Sequence, residues 1–180
     1  NGLIPKREKG FDWKNVVPGN TKKTLWTSTY DIEELPQVIQ PKSGYFYNTN
    51  HSPFLSTSKK ENPKQDNFSS NMGFETYDNN RSTRLKLLID QNKKIDYDKF
   101  KEIKYDNTLP SPLAYSWMDI NALFDIDPNK YPDISDILIE IQNWDRKADV
   151  NSYGAGAYAI LYFKLGKYYR QLPEPKIFPK

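Results

Sequence analysis

The chain reads as an α+β fold: a strand-and-loop region over about residues 1–55, then a mainly helical region over 81–172. Three observations predict this. Thr24 to Tyr30 and Tyr45 to Asn50 are rich in β-branched and aromatic residues, as strands are. From Leu85 onward, apolar residues recur at helical spacing. Between the two lies a polar stretch, residues 56–80, dominated by Ser, Asn and Lys, which reads as a long surface loop.

The elements follow in order. Phe11-Asp12-Trp13 and Val16 to Asn20 form a loop closed by a Pro-Gly turn. In the first strand Trp26, Ser28 and Tyr30 share a face. Asp31 to Leu35 makes one helical turn stopped by Pro36. Pro41-Lys42-Ser43-Gly44 is a turn, and the Tyr45–Asn50 strand after it ends in a polar cluster fixed by Pro53. In the helical region, Leu85, Leu88 and Ile89 mark a first helix, and Asp96 caps a short second one carrying Phe100 and Ile103. Leu113, Trp117, Ile120 and Phe124 line one apolar stripe. Asp133 caps the next helix, with Ile134, Ile137, Leu138 and Ile141 on one face. Gly154 and Gly156 precede a last helix striped by Tyr158, Tyr162, Leu165 and Tyr169, and the Pro-rich end from Leu172 stops it. No internal repeat or domain boundary is evident, so residues 1–180 read as one piece.

Composition excludes several functions. There is no Cys and one His, which removes zinc fingers, iron–sulfur clusters, thiol nucleophiles and multi-histidine metal sites. The balance of 26 basic and 23 acidic residues argues against nucleic acid as a partner. No apolar stretch is long enough to span a membrane. Thirteen Tyr, nine Phe and four Trp must carry much of the packing.

Chemistry has few places to sit. His51 lies in a polar turn with no nucleophile-elbow pattern around it. Asp125 and Asp127 lack the glycine and distal Glu of a calcium loop. Gly154-Ala155-Gly156 lacks the Lys of a phosphate loop and reads as close packing. The segment Gly44 to Phe54 differs in kind, because it delivers Asn48 and Asn50 to a turn. Side-chain amides there can donate to a developing oxyanion without changing protonation state. The competing reading is an Asn-rich turn that bonds its own backbone.

An ordered set of short motifs runs through nearly the whole chain: Gly2-Leu3-Ile4-Pro5-Lys6-Arg7, Gly10-Phe11-Asp12-Trp13, Val17-Pro18-Gly19, Leu25-Trp26 and Glu34-Leu35-Pro36-Gln37-Val38. Pro41-Lys42-Ser43-Gly44-Tyr45 follows, then Asn48-x-Asn50-x-x-Pro53, Arg81 and Arg84 before Leu87-Leu88, and Leu138 to Trp144-Asp145. Together they resemble the heavy chain of penicillin acylases, a family that includes cephalosporin, aculeacin-type and acyl-homoserine-lactone acylases.

The resemblance carries implications. It implies a piece of a larger αββα N-terminal nucleophile hydrolase acting on linear amides. A self-cleaving precursor exposes a serine whose own α-amine is the base. That serine, the light chain and the first part of the heavy chain are expected outside this segment, since Asn1 is no nucleophile, and the segment alone is expected to be inactive. The oxyanion-hole Asn maps to Asn50, with Asn48 as the alternate. The family often has Asn where this chain has His51. An active-site Arg maps to Arg81, with Arg84 as the alternate. No cofactor is needed for the chemistry. A structural calcium is possible in the parent protein, with Asp66 as the one contributor that maps here. The partners implied are the remainder of the acylase and an acylated small-molecule amide, and the location implied is periplasmic or secreted. The edge of the Tyr45–Asn50 strand is expected either to fold onto the helices or to pair with a second copy. The alternative function is a non-catalytic, aromatic-rich binding module presenting Tyr45, Tyr47, Trp117 and Tyr153.

Overall fold

The computed structural model describes residues 3–115 and 118–171. It divides into two compact units, Asn1–Asp78 and Asn79–Lys180.

The first unit is built from loops and single 3-10 turns: Lys22–Thr24, Ile32–Glu34, Pro53–Leu55, Gln65–Asn67 and Ser70–Met72. Its core is small. Tyr47, Phe54 and Met72 are buried, and Phe54 packs its ring against Phe68 at 5.7 Å and Phe74 at 6.3 Å. Arg7 fastens the N-terminal stretch to the end of the unit. Its Nη1 donates to the Asn71 carbonyl at 2.6 Å, and its guanidinium lies over Trp26. Gly73, at φ 76°, leaves the room: a Cβ there would stand 2.7 Å from that same Nη1. Asp31 caps the Ile32–Glu34 turn, and Glu34 returns to the Asp31 amide and pairs with Lys6.

The second unit is helical. α1 spans Asn80–Gln91, α2 Tyr97–Lys104, α3 Ser135–Gln142 and α4 Tyr153–Arg170. Three of the starts have a local cause. Asn79 and Ser82 form a reciprocal capping box for α1, Asp96 accepts from the Lys99 amide at 2.9 Å, and Ser152 accepts from the Ala155 amide at 3.2 Å. Leu113, Ile120, Ile141, Trp144 and Tyr158 form the core, with the hydroxyls of Tyr115 and Tyr158 2.9 Å apart. Burial pushes the Tyr158 hydroxyl well above its ordinary pKa. The Arg146 guanidinium stacks on Phe124 at 3.5 Å with a buried Nη1, and burial lowers its pKa.

The α+β expectation is overturned. No β-strand forms among the described residues, and the sheet layers of an αββα core have no counterpart there. Two isolated bridges remain, Pro5 with Thr29 and Thr108 with Lys147. The reason is pairing. The 24–30 run meets Ile4 and Lys6 through two backbone hydrogen bonds, Tyr30 to Ile4 and Lys6 to Ser28, each 2.9 Å. The 45–50 run meets the chain at Tyr47 N–H to Ser56 carbonyl, 2.9 Å, and otherwise through side chains. β-propensity describes residues that suit a ladder; without a neighbouring strand it leaves extended chain.

Three helix expectations also change. The Leu113–Phe124 stripe is not an α-helix. Asn121 bonds both the amide and the carbonyl of Leu113 at 2.7 Å, closing a loop that ends in the 3-10 turn Asn121–Phe124. Trp117 lies outside the described residues. Asp133 falls in the turn Pro132–Ile134 just before α3, which has no side-chain cap. Gly154 lies inside α4 rather than before it. A Cβ there would meet Trp144 Cβ at 2.5 Å and the Glu140 carbonyl at 2.9 Å, so it is the close contact between α3 and α4.

Candidate active-site loop

Residues 41–62 of the first unit form a loop tied to itself at almost every step. The Pro41–Gly44 turn closes with the Gly44 amide on the Pro41 carbonyl at 2.9 Å. The amides of Lys42 and Ser43 donate to the Glu61 carboxylate at 2.5 and 3.0 Å, and the Ser58 hydroxyl adds a third bond at 2.7 Å. These donors, Ser43 first and Ser58 next, pull the Glu61 pKa down from 4.5 to about 2. Thr57 is buried and donates to the Tyr45 carbonyl at 2.7 Å, while its amide is held by the Asn62 side chain at 2.9 Å.

At the far end of this loop sit the two asparagines. The Asn48 side-chain oxygen accepts from the Asn50 amide at 2.7 Å, an Asx turn. Asn50 is exposed and lies in the left-handed region at φ 61°, which Asn tolerates better than most residues. Ser52 is fully buried and caps the Pro53–Leu55 turn through the Phe54 amide.

His51 anchors the tip. The Thr49 amide donates to its Nδ1 at 3.1 Å, so that nitrogen carries no proton. Nε2–H then donates to the Leu55 carbonyl, also at 3.1 Å, and the ring stacks on Tyr47 at 4.9 Å. Both nitrogens are engaged in holding backbone, which leaves His51 without the free nitrogen a general base requires.

The remaining sequence-derived residues are distributed over both units. Arg81 is exposed on the first turn of α1. Arg84 is committed to a bidentate pair with Asp106 at 2.8 and 2.7 Å, and Asp106 also accepts from the Thr108 amide and hydroxyl. The pair raises the Arg84 pKa and lowers that of Asp106. Asp66 is a lone exposed carboxylate in the turn Gln65–Asn67, and no group of three His, Asp or Glu suited to a metal exists among the described residues. Asp66 could supply one of the six to eight oxygens that a calcium ion takes. Of the aromatic residues expected on a binding surface, Tyr47 is buried, Tyr45 half-buried and Tyr153 exposed in the second unit. No described helix is long and apolar enough to cross a membrane.

Residue-by-residue reasoning missed Glu61, Thr57 and Asn62. The legible signal was the Ser58-x-x-Glu61 spacing, which marks a reciprocal turn.

Residues 1–176 match the family model for penicillin amidase, and the chain belongs to that family. Penicillin G acylase of Escherichia coli is 33% identical over 97 residues, which are 54% of this chain and 10% of that protein. The match therefore spans about a tenth of that relative's length.

Proposed function

We propose that this chain is part of an acylase that hydrolyses linear amides, and that Asn50 donates to the oxyanion. The observation that supports the reading is the 41–62 loop, in which Asn48 accepts from the Asn50 amide and His51 ties the Thr49 amide to the Leu55 carbonyl around it. In this account a serine outside residues 1–180 attacks the amide carbonyl. Its own α-amine, with a pKa of about 8, takes the hydroxyl proton at neutral pH. As the carbonyl becomes tetrahedral, negative charge gathers on its oxygen. The Asn50 side-chain N–H stabilises that charge, together with a backbone amide near the serine. The tetrahedral species collapses to an acyl-enzyme, the amine leaves with the proton, and water completes the hydrolysis.

Arg81, exposed on α1, is the residue we assign to support of the site. Arg84 is already committed to Asp106 and serves the fold. Alone, residues 1–180 lack the nucleophile and should not turn over substrate.

The test is made on the full gene product. Intact masses and N-terminal sequences of its mature chains should show two chains, the larger beginning with Ser upstream of the Asn1 segment. A single unprocessed chain without such a serine contradicts the reading.

A further inference from the structure

Asn50 holds a backbone conformation, φ 61°, that a residue with a side chain adopts at a cost. Such a conformation persists where its surroundings over-determine it. Two side chains do so here, and they differ in kind. The Asn48 oxygen accepts from the Asn50 amide at 2.7 Å, but Asn48 is exposed and water competes for that bond. The His51 ring accepts from the Thr49 amide, one peptide unit earlier, at 3.1 Å.

His51 is the tie that reaches the packed part of the unit. Its half-buried ring lies nearly parallel to Tyr47, 4.9 Å between centroids, and Tyr47 is itself buried. Its Nε2–H donates to the Leu55 carbonyl at the end of the Pro53–Leu55 turn, which buried Ser52 caps. The ring is thus a strut from the core of the unit to the exposed tip. Its nitrogens have opposite duties: Nδ1 accepts and Nε2 donates.

Resting on the function proposed above, we infer that His51 is a positioning residue for Asn50, acting through Nδ1 as a hydrogen-bond acceptor. It touches no reacting atom. By holding the Thr49 amide it keeps the Asn50 side chain in place before charge gathers on the oxyanion, a contribution that appears in kcat.

Two substitutions in the full-length gene product separate the nitrogens. His51→Asn places an oxygen near the position of Nδ1 and gives up the bond to Leu55. His51→Gln keeps a donor toward Leu55 and gives up the acceptor. Both are assayed alone and combined with Asn50→Gly, on whichever of a series of N-acyl para-nitroanilides the parent cleaves fastest. His51→Gln should lower kcat by about tenfold with KM changed by less than about twofold, and His51→Asn should recover to within about threefold of the parent. In the Asn50→Gly background, His51→Gln should change kcat by less than about twofold, because the side chain it positions is gone. An equal loss in that background marks a role in stability alone and overturns the inference, as does parental kcat in His51→Gln. If Asn50→Gly lowers kcat while His51→Gln does not, this inference fails and the oxyanion reading stands. An Asn50→Gly enzyme at the parental rate sinks both. Should His51→Gln not fold, His51→Asn decides, since a loss of about tenfold or more there overturns the role of Nδ1. In the unsubstituted protein, active or not, the Thr49 amide should exchange its hydrogen about a hundredfold slower than an unstructured amide. An unprotected Thr49 amide overturns the inference without reference to turnover.

Discussion

The amide of Asn50 donates to the side-chain oxygen of Asn48 at 2.7 Å, and this bond holds Asn50 at φ 61°. The relationship separates the roles of two residues that spacing alone left interchangeable. Asn48 spends its carboxamide oxygen on the turn. Asn48→Ala should cost about 1 kcal/mol of stability through the lost hydrogen bond. Asn48→Asp retains the acceptor and should melt close to the parent. Urea melts of the three proteins check this ordering.

Glu61 gives the loop a pH signature. Its pKa is depressed from 4.5 to about 2, so its contribution is complete above about pH 4.5 and fades as pH falls toward 2. The wild-type chain should lose stability between pH 5 and pH 3. Glu61→Gln should be less stable at pH 7 and show a flatter profile over that interval. Urea midpoints at several pH values measure it, and parallel profiles for the two proteins would contradict the assignment.

Arg84 and Asp106 should behave as one unit. Their bidentate pair is mostly shielded, with side-chain exposures of 23% and 18%. A double-mutant cycle with Arg84→Met and Asp106→Asn should return a coupling of about 1–3 kcal/mol. Arg81→Gln, at an exposed position, should change stability by less than about 0.5 kcal/mol. If Arg81 supports the site, its substitution lowers turnover of the parent enzyme without moving its melting temperature.

The two glycines of α4 should respond oppositely to alanine. At Gly154 the new Cβ meets Trp144 and the Glu140 carbonyl, neither of which can swing aside, so Gly154→Ala should cost about 1–3 kcal/mol. At Gly156 nothing lies within 4 Å. Gly156→Ala should gain about 0.5–1 kcal/mol from reduced backbone freedom in the unfolded chain. Chemical denaturation of the two variants distinguishes them.

Much of the second unit was legible because its signals are local. The spacing of Leu85, Leu88 and Ile89 and the cap at Asp96 each depend on residues within a turn, and α1 and α2 form where they point. The apolar face from Ile134 to Ile141 likewise becomes α3. The Leu113–Phe124 stripe misled because Asn121 bonds Leu113 across the loop, a contact that periodicity does not record. The strand readings failed for a related reason. Thr24–Tyr30 and Tyr45–Asn50 have suitable side chains, but a strand is defined by its neighbour, and among the described residues the first run pairs only at the single Pro5–Thr29 bridge and the second at none. In the candidate site, Asn48, Asn50 and His51 were visible as a polar cluster. The network that stiffens them runs through Thr57, Glu61 and Asn62, whose roles depend on the chain folding back.

The most direct test is the side chain of Asn50 itself, removed without straining the backbone. Glycine accepts φ 61° freely, so Asn50→Gly deletes the carboxamide and keeps the turn. In the full-length, processed enzyme, loss of one oxyanion donor should lower kcat by about 10²–10³-fold, equivalent to about 3–4 kcal/mol, with KM and melting temperature little changed. A variant that folds, processes and turns over amide substrate at the parent rate would contradict the account.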